Sequence, residues 1–320
     1  MNSSFEVASS ENSSLAVTEE EASPLLYGRY GYSLIIIGAV AMFVDVICMR
    51  LVRKSKTIFK NLQVYIISLM ACYFFVAFSF TLAPLSFLLF KSTFAIDLGV
   101  SFGRSLVISS LLHTAVLSLD RLLSIKQPNF YSFRVTPRIC YGVCFCIWFV
   151  SALNNIVVHA FVTFQPVGGR FNVGVYSSFV FIYFSCLLVY IGSSRSIIVC
   201  AKEHIRRENL IQRIVGAPRD SQNLETFRLS IIITTASGFL YLLYLPSQLF
   251  ALFTFFDPYR KLKTTLFLQN IAFPSYLLES LLGPLLYLVR FRETRQMLKS
   301  LCCFSNKDAV VSRDTSIERV

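Results

Sequence analysis

The sequence has little charge and no cysteine pair with metal-ligand spacing. Only 15% of its 320 residues are charged, whereas 55% are apolar. That apolar share exceeds the roughly 45–50% of soluble domains, so a single soluble domain is excluded. Its nine cysteines include Cys144 and Cys146 in an apolar run and the adjacent Cys302 and Cys303, and neither pair has zinc-type spacing. We therefore expect neither a metal nor another cofactor.

The chain also lacks a convergent set of nucleophile and base, so we do not expect an enzyme. A net charge of +12 could indicate a nucleic-acid partner. However, the basic residues lie in short clusters between apolar runs, which is typical of membrane topology, and no nucleic-acid partner is expected. We find neither an internal repeat nor the paired broken helices that are typical of transporters.

Seven apolar runs are long enough to cross a lipid bilayer, which takes about 20 helical residues. The mean hydropathy of +0.61 agrees with this interpretation. The pattern predicts an all-α membrane protein, a bundle of seven transmembrane helices. The runs lie at roughly 31–52, 62–90, 94–125, 138–162, 174–200, 227–256 and 264–289.

The distribution of basic residues predicts the orientation of the bundle. Most of the 30 Lys and Arg residues follow the first, third, fifth and seventh runs. Because Lys and Arg accumulate on the cytoplasmic side, the N-terminus is expected outside a plasma membrane and the C-terminus inside. The predicted parts are a disordered extracellular tail (1–30), the bundle (31–289), a short amphipathic eighth helix (290–303) and a cytoplasmic tail (304–320).

Both ends of the chain carry candidate modification sites. Asn2-Ser3-Ser4 and Asn12-Ser13-Ser14 fit the glycosylation sequon, in the tail that should face outward. Cys302 and Cys303 directly follow the amphipathic helix, where palmitoylation would add an anchor beside a basic patch. An unmodified cysteine pair is the alternative.

An acid and an arginine end the third apolar run, within Leu117–Leu122. Charged side chains at the rim of a membrane span are costly unless they face water or each other, so Asp120 and Arg121 indicate function. The alternative is a stop signal at which Arg121 reaches the lipid headgroups.

The chain from about 31 to 303 resembles the rhodopsin-like, class A, G-protein-coupled receptors. The most specific piece runs from Leu117 to Pro128 and on to Thr136-Pro137-Arg138 and Trp148, matching the family in order and spacing. Leu243-Tyr244-Leu245-Pro246 resembles the family's Cys-Trp-x-Pro signature, and Gly283-Pro284-Leu285-Leu286-Tyr287 resembles Asn-Pro-x-x-Tyr.

This resemblance implies a receptor that passes an extracellular ligand signal to a heterotrimeric G protein. Arg121 would be the switch residue, paired at rest with Asp120 and with Glu225 at the start of the sixth run. Tyr287 would move inward when the inner face opens. A ligand can favour the open form only if it binds that form better.

Several positions depart from the family pattern. Tyr73 occupies the place of the second-span aspartate, and Gly283 replaces the asparagine of the seventh span. Asp45 and Glu279 could supply the buried negative charge instead, in a polar core with Ser110. His113 or Ser110 is the expected partner of such an acid, because lone acids in spans are costly. Alternatively, either acid is protonated and only hydrogen-bonded.

The family's outer cysteine is also missing, since Ile96 occupies its place. Gly103 stands where amine receptors carry an aspartate, and Leu277 stands where opsins carry the retinal-binding lysine. Arg104 lies at pocket depth and could bind an anionic ligand group, or else reach lipid headgroups or pair with Asp97. The predicted pocket residues are Arg104, Val107, Tyr244, Gln248, Phe273 and Tyr276.

Three functions therefore compete. A ligand-activated receptor in the lipid bilayer comes first. A constitutively active or non-signalling seven-span protein comes second, because the disulfide is missing and the polar core is altered. A transporter or channel comes third.

Overall fold

The computed structural model describes residues 31–55, 58–90, 93–164, 170–215 and 274–287, together with part of the segment 231–252. Several predictions concern residues outside this set, and the structure says nothing of them. They are the tails 1–30 and 304–320, the helix 290–303, and the residues Asn2, Asn12, Glu225, Phe273, Cys302 and Cys303.

The described part of the chain contains helices and no strand, so the predicted all-α class is confirmed there. Residues 241–246 and 274–287 are helical. The helices with defined limits are α1 (Gly31–Lys54), α2 (Lys60–Phe90), α3 (Thr93–Lys126), α4 (Pro128–Arg134), α5 (Pro137–Phe164) and α6 (Arg170–Val215).

Stretches of α1, α2, α3, α5 and α6 are long and apolar enough to cross a membrane. They coincide with the first five apolar runs of the sequence. Their outer faces carry large exposed apolar side chains such as Phe145, Phe181 and Leu188, as contact with lipid requires. The sixth and seventh runs are only partly described, so the count of seven spans stays a prediction.

Helix α3 is the centre of the bundle. It packs against α2, α4, α5 and α6. In an apolar window of 18 residues in α3, 72% of the residues are buried, against 22% in the corresponding window of α5. Most polar side chains on α3 are therefore enclosed by protein rather than by lipid.

The described residues of the sixth and seventh runs pack against α2, α3 and α6. The Tyr241 hydroxyl donates a hydrogen bond of 3.2 Å to the Leu111 carbonyl of α3. The Tyr183 hydroxyl of α6 donates one of 2.9 Å to the Tyr241 carbonyl. The ring of Tyr276 stacks on that of Phe80 in α2, with 5.1 Å between centroids.

Two elements differ from the sequence prediction. The connection between the third and fourth runs contains helix α4, which the pattern of apolar runs does not predict. Pro128 opens this helix, at the position where proline costs no intrahelical hydrogen bond. Helix α6 continues to Val215, well beyond the predicted end near 200, because its basic final turns are good helix formers.

Candidate functional site

Asp120 and Arg121 form an ion pair at the inner end of α3. The Arg121 Nε donates to Asp120 Oδ2 at 3.1 Å, and its Nη2 donates to the same oxygen. Only 5% of Asp120 and 3% of Arg121 are exposed. A buried charge needs a charged partner, and here each residue supplies the other's. The structure thus contains the predicted pair, while its role as a switch stays a prediction.

Tyr131 of α4 joins this pair. Its hydroxyl donates a hydrogen bond of 2.9 Å to Asp120 Oδ1 and accepts one of 3.2 Å from Arg121 Nη2. Burial raises the pKa of the Tyr131 phenol, so the hydroxyl keeps its proton and can donate. We call Asp120, Arg121 and Tyr131 the inner triad.

A second hydrogen bond fixes α4 against the bundle. The Asn61 Nδ2 of α2 donates to the Val135 carbonyl, just after α4, at 2.8 Å. Tyr131 is not among the residues predicted from the sequence, although Pro128 signals a helix start. With α4 predicted, Tyr131 would have fallen on a helix beside the charged pair.

Ser110 of the predicted polar core binds Tyr244 rather than an acid. Their hydroxyl oxygens lie 2.5 Å apart. The Ser110 hydroxyl also donates to the Val107 carbonyl at 2.9 Å. Because a carbonyl only accepts and serine has one proton, Tyr244 is the donor in the bond to Ser110.

The acids of the polar core, Asp45 and Glu279, are both buried. Neither forms an ion pair with a described residue. Both carboxyl oxygens of Asp45, and Oε2 of Glu279, lack a hydrogen-bond partner in the described part of the chain. Glu279 lies beside Tyr73 and Tyr244. An uncompensated buried carboxylate is costly, which favours the neutral acid.

His113 was an expected partner of these acids, and that expectation was wrong. Its Nδ1 donates to the Ser109 carbonyl at 2.8 Å, which leaves Nε2 as an acceptor for the Ser68 hydroxyl at 2.8 Å. The Trp148 Nε1 in turn donates to Ser68 Oγ at 3.0 Å. The neutral imidazole is thereby satisfied within a network that joins α2, α3 and α5.

Several residues of the predicted ligand pocket come together. Val107, Tyr244 and Tyr276 belong to one buried cluster, and the rings of Tyr244 and Tyr276 lie 6.0 Å apart between centroids. Gln248 is buried, and neither of its amide atoms has a hydrogen-bond partner among the described residues. Arg104 is half-buried in α3.

Tyr287 is buried in a second cluster, nearer the inner triad, together with Leu117 of α3 and Tyr73 of α2. All the cysteines that the structure describes are free thiols.

No protein-family model matches this sequence. No curated protein matches it either.

Proposed function

We propose that this chain is a receptor similar to the rhodopsin-like G-protein-coupled receptors, with seven spans, an extracellular N-terminus and a place in the plasma membrane. The observation that carries the proposal is the inner triad. A fully buried arginine is tied to the adjacent aspartate at the end of the central helix. Such a pair can exchange partners when the surrounding helices separate.

In the proposed resting form, Arg121 is held by Asp120 and Tyr131, and Glu225 adds a second acid. An agonist that binds better to the open form shifts the population toward it. Arg121 then leaves the inner triad and faces a heterotrimeric G protein. Tyr287 moves into the space that Arg121 leaves.

The proposed ligand binds above Ser110 and carries an anionic or polar group. Gln248 supports this proposal, because its amide is buried and has no partner among the residues that the structure describes, and a ligand or water would offset the cost. Arg104 would bind the anionic group. The proposed pocket consists of Arg104, Val107, Tyr244, Gln248, Phe273 and Tyr276.

The remaining features of this proposal concern the ends of the chain. Asn2 and Asn12 would carry glycans outside the cell. The segment 290–303 would lie on the inner leaflet as an amphipathic helix, with Cys302 and Cys303 palmitoylated. Mass spectrometry of the full-length chain from a eukaryotic host tests both modifications.

Guanine-nucleotide exchange in membranes that contain the full chain and G-protein heterotrimers tests the function. We expect Arg121→Ala to abolish exchange by the expressed receptor. Arg195→Ala is the matched control, because Arg195 is exposed on α6. The Arg121→Lys variant keeps a positive charge beside Asp120. It therefore separates loss of the arginine's function from misfolding caused by an unpaired acid. Full exchange by a folded Arg121→Ala protein would contradict the proposal.

A constitutively active or non-signalling protein of the same fold is the second candidate. The missing outer cysteine at Ile96 and the altered polar core favour it, since both depart from the pattern of the ligand-activated receptors that the chain resembles. A screen with a promiscuous G-protein reporter separates the candidates. Exchange without ligand indicates constitutive activity, and no exchange with any ligand indicates a silent protein.

A further inference from the structure

Helix α4 carries two strongly exposed aromatic side chains. Phe130 is 51% exposed and Phe133 is 85% exposed, and no residue of this helix is buried. Residues three apart share one face of a helix, so the two rings form a single apolar surface. Two large exposed rings on a seven-residue helix need a partner in place of water.

This aromatic surface points away from the bundle. Tyr131 follows Phe130 by one residue, about 100° around the helix, and its hydroxyl contacts α3. Phe133 lies about 60° from Phe130 in the opposite sense. The helix therefore presents Tyr131 to the inner triad and the two phenylalanines to the surroundings.

The chain holds α4 at the membrane surface. Helix α3 ends at Lys126 and α5 begins at Pro137, and both contain membrane-long stretches. The link between them has only ten residues, 127–136, so α4 lies near the bilayer boundary. Three exposed basic residues lie close to Phe130 and Phe133 in the chain, namely Lys126, Arg134 and Arg138.

We propose that α4 binds an anionic lipid leaflet. Phe130 and Phe133 insert at the level of the headgroups, and the three basic side chains bind lipid phosphates. Because Tyr131 lies on the same short helix, this attachment holds its hydroxyl against Asp120 and Arg121. Loss of the anionic lipid would release Tyr131 and loosen the ion pair.

The charge pattern favours a lipid leaflet over a protein partner. The basic residues come from the ends of three successive helices and all lie at the predicted inner boundary, where an anionic leaflet is the nearest negative surface. This inference rests on the membrane location of α3 and α5, and it does not require coupling to a G protein.

A tryptophan at position 133 reports where the ring lies. The full-length Phe133→Trp variant is placed in vesicles of phosphatidylcholine alone or mixed with phosphatidylserine. The emission of the parent protein, which contains Trp148 as its one tryptophan, is subtracted. We expect quenching by lipids brominated near the headgroups, and little quenching by aqueous iodide, in the anionic vesicles only.

Charge removal provides the second arm. The triple variant Lys126→Gln, Arg134→Gln and Arg138→Gln is made in the Phe133→Trp background. We expect each lost charge to lower the equilibrium constant for insertion by about fivefold. Lys202→Gln, Arg206→Gln and Arg207→Gln remove three exposed charges from α6 and serve as the matched control, with no change expected.

Three results would overturn the inference. One is quenching by iodide in both kinds of vesicle, and another is equal loss of insertion in the α6 control. The third is protection from iodide only after G protein is added, which would assign the surface to a protein partner. A Phe130→Trp variant repeats the measurement if Phe133→Trp does not fold. If nucleotide exchange is absent while the tryptophan still inserts into anionic vesicles, the proposed receptor function is contradicted and the lipid inference stands.

Discussion

The ring of Tyr73 lies directly against the backbone of Gly283. A Cβ atom at position 283 would lie 2.6 Å from Cε2 of Tyr73, closer than real contacts allow. In the resemblance drawn from the sequence, these two positions carry a tyrosine in place of an aspartate and a glycine in place of an asparagine. The contact couples the two positions, because the ring of Tyr73 occupies the space that a side chain at position 283 would fill.

We predict that Gly283→Ala destabilises the protein by about 1–3 kcal/mol, the usual cost of overpacking a filled core. The measurement is thermal unfolding in detergent. Gly142→Ala is the control, because a Cβ there would meet no atom within 4 Å. In a Tyr73→Ala background the cost of Gly283→Ala should disappear. An equal cost in both backgrounds would rule out the ring as its source.

Tyr131→Phe should weaken the inner triad. The change removes the hydroxyl that donates to Asp120 Oδ1 at 2.9 Å, and an unsatisfied buried acceptor costs about 1–3 kcal/mol. We expect lower thermal stability and raised basal nucleotide exchange. Tyr141→Phe, at an exposed position on α5, should change neither. A Tyr131→Phe protein with the thermal stability and the basal nucleotide exchange of its parent would contradict this role.

The inner triad should also respond to alkaline pH. Burial raises the pKa of Tyr131 in the folded protein above the value of about 10 for an exposed tyrosine. The unfolded chain therefore loses this proton first, and folding stability falls as the pH rises above about 10. We expect the parent protein to lose stability more steeply than Tyr131→Phe in that range. Parallel curves would contradict the prediction.

Ser68→Ala should cost more than one hydrogen bond. The Ser68 hydroxyl accepts from Trp148 Nε1 and donates to His113 Nε2, so its removal leaves two groups without partners. We expect a loss of about 2–4 kcal/mol in unfolding free energy. Ser132→Ala, at an exposed position on α4, is the control and should be nearly neutral. The network would be unimportant if both variants unfolded alike.

Glu279→Gln and Asp45→Asn should preserve stability. With no ion-pair partner among the described residues, each acid is expected to be neutral, and an amide imitates a neutral acid in size and polarity. Unfolding temperature and sodium dependence are the measurements. If the variants lose a sodium response that the parent shows, the acids are charged, and the negative charge has moved from position 73 to them.

The sequence by itself determined that the first five runs are helices, and the limits of the first four agree with the structure to within two residues. The run predicted at roughly 62–90 corresponds to helix Lys60–Phe90, and the run predicted at roughly 138–162 corresponds to helix Pro137–Phe164. Hydrophobic length alone fixes where a helix can cross a bilayer. The acid–arginine pair was also visible, since its members are adjacent in the chain.

Only the tertiary structure decided which polar groups meet. It gave Tyr131 to the ion pair, placed Ser68 and Trp148 around His113, and set Tyr73 against Gly283. It also overturned the expected pairing of His113 or Ser110 with the buried acids. Apolar length is a local property of the chain, whereas partners inside the bundle depend on how distant helices rotate and pack, which no local pattern specifies.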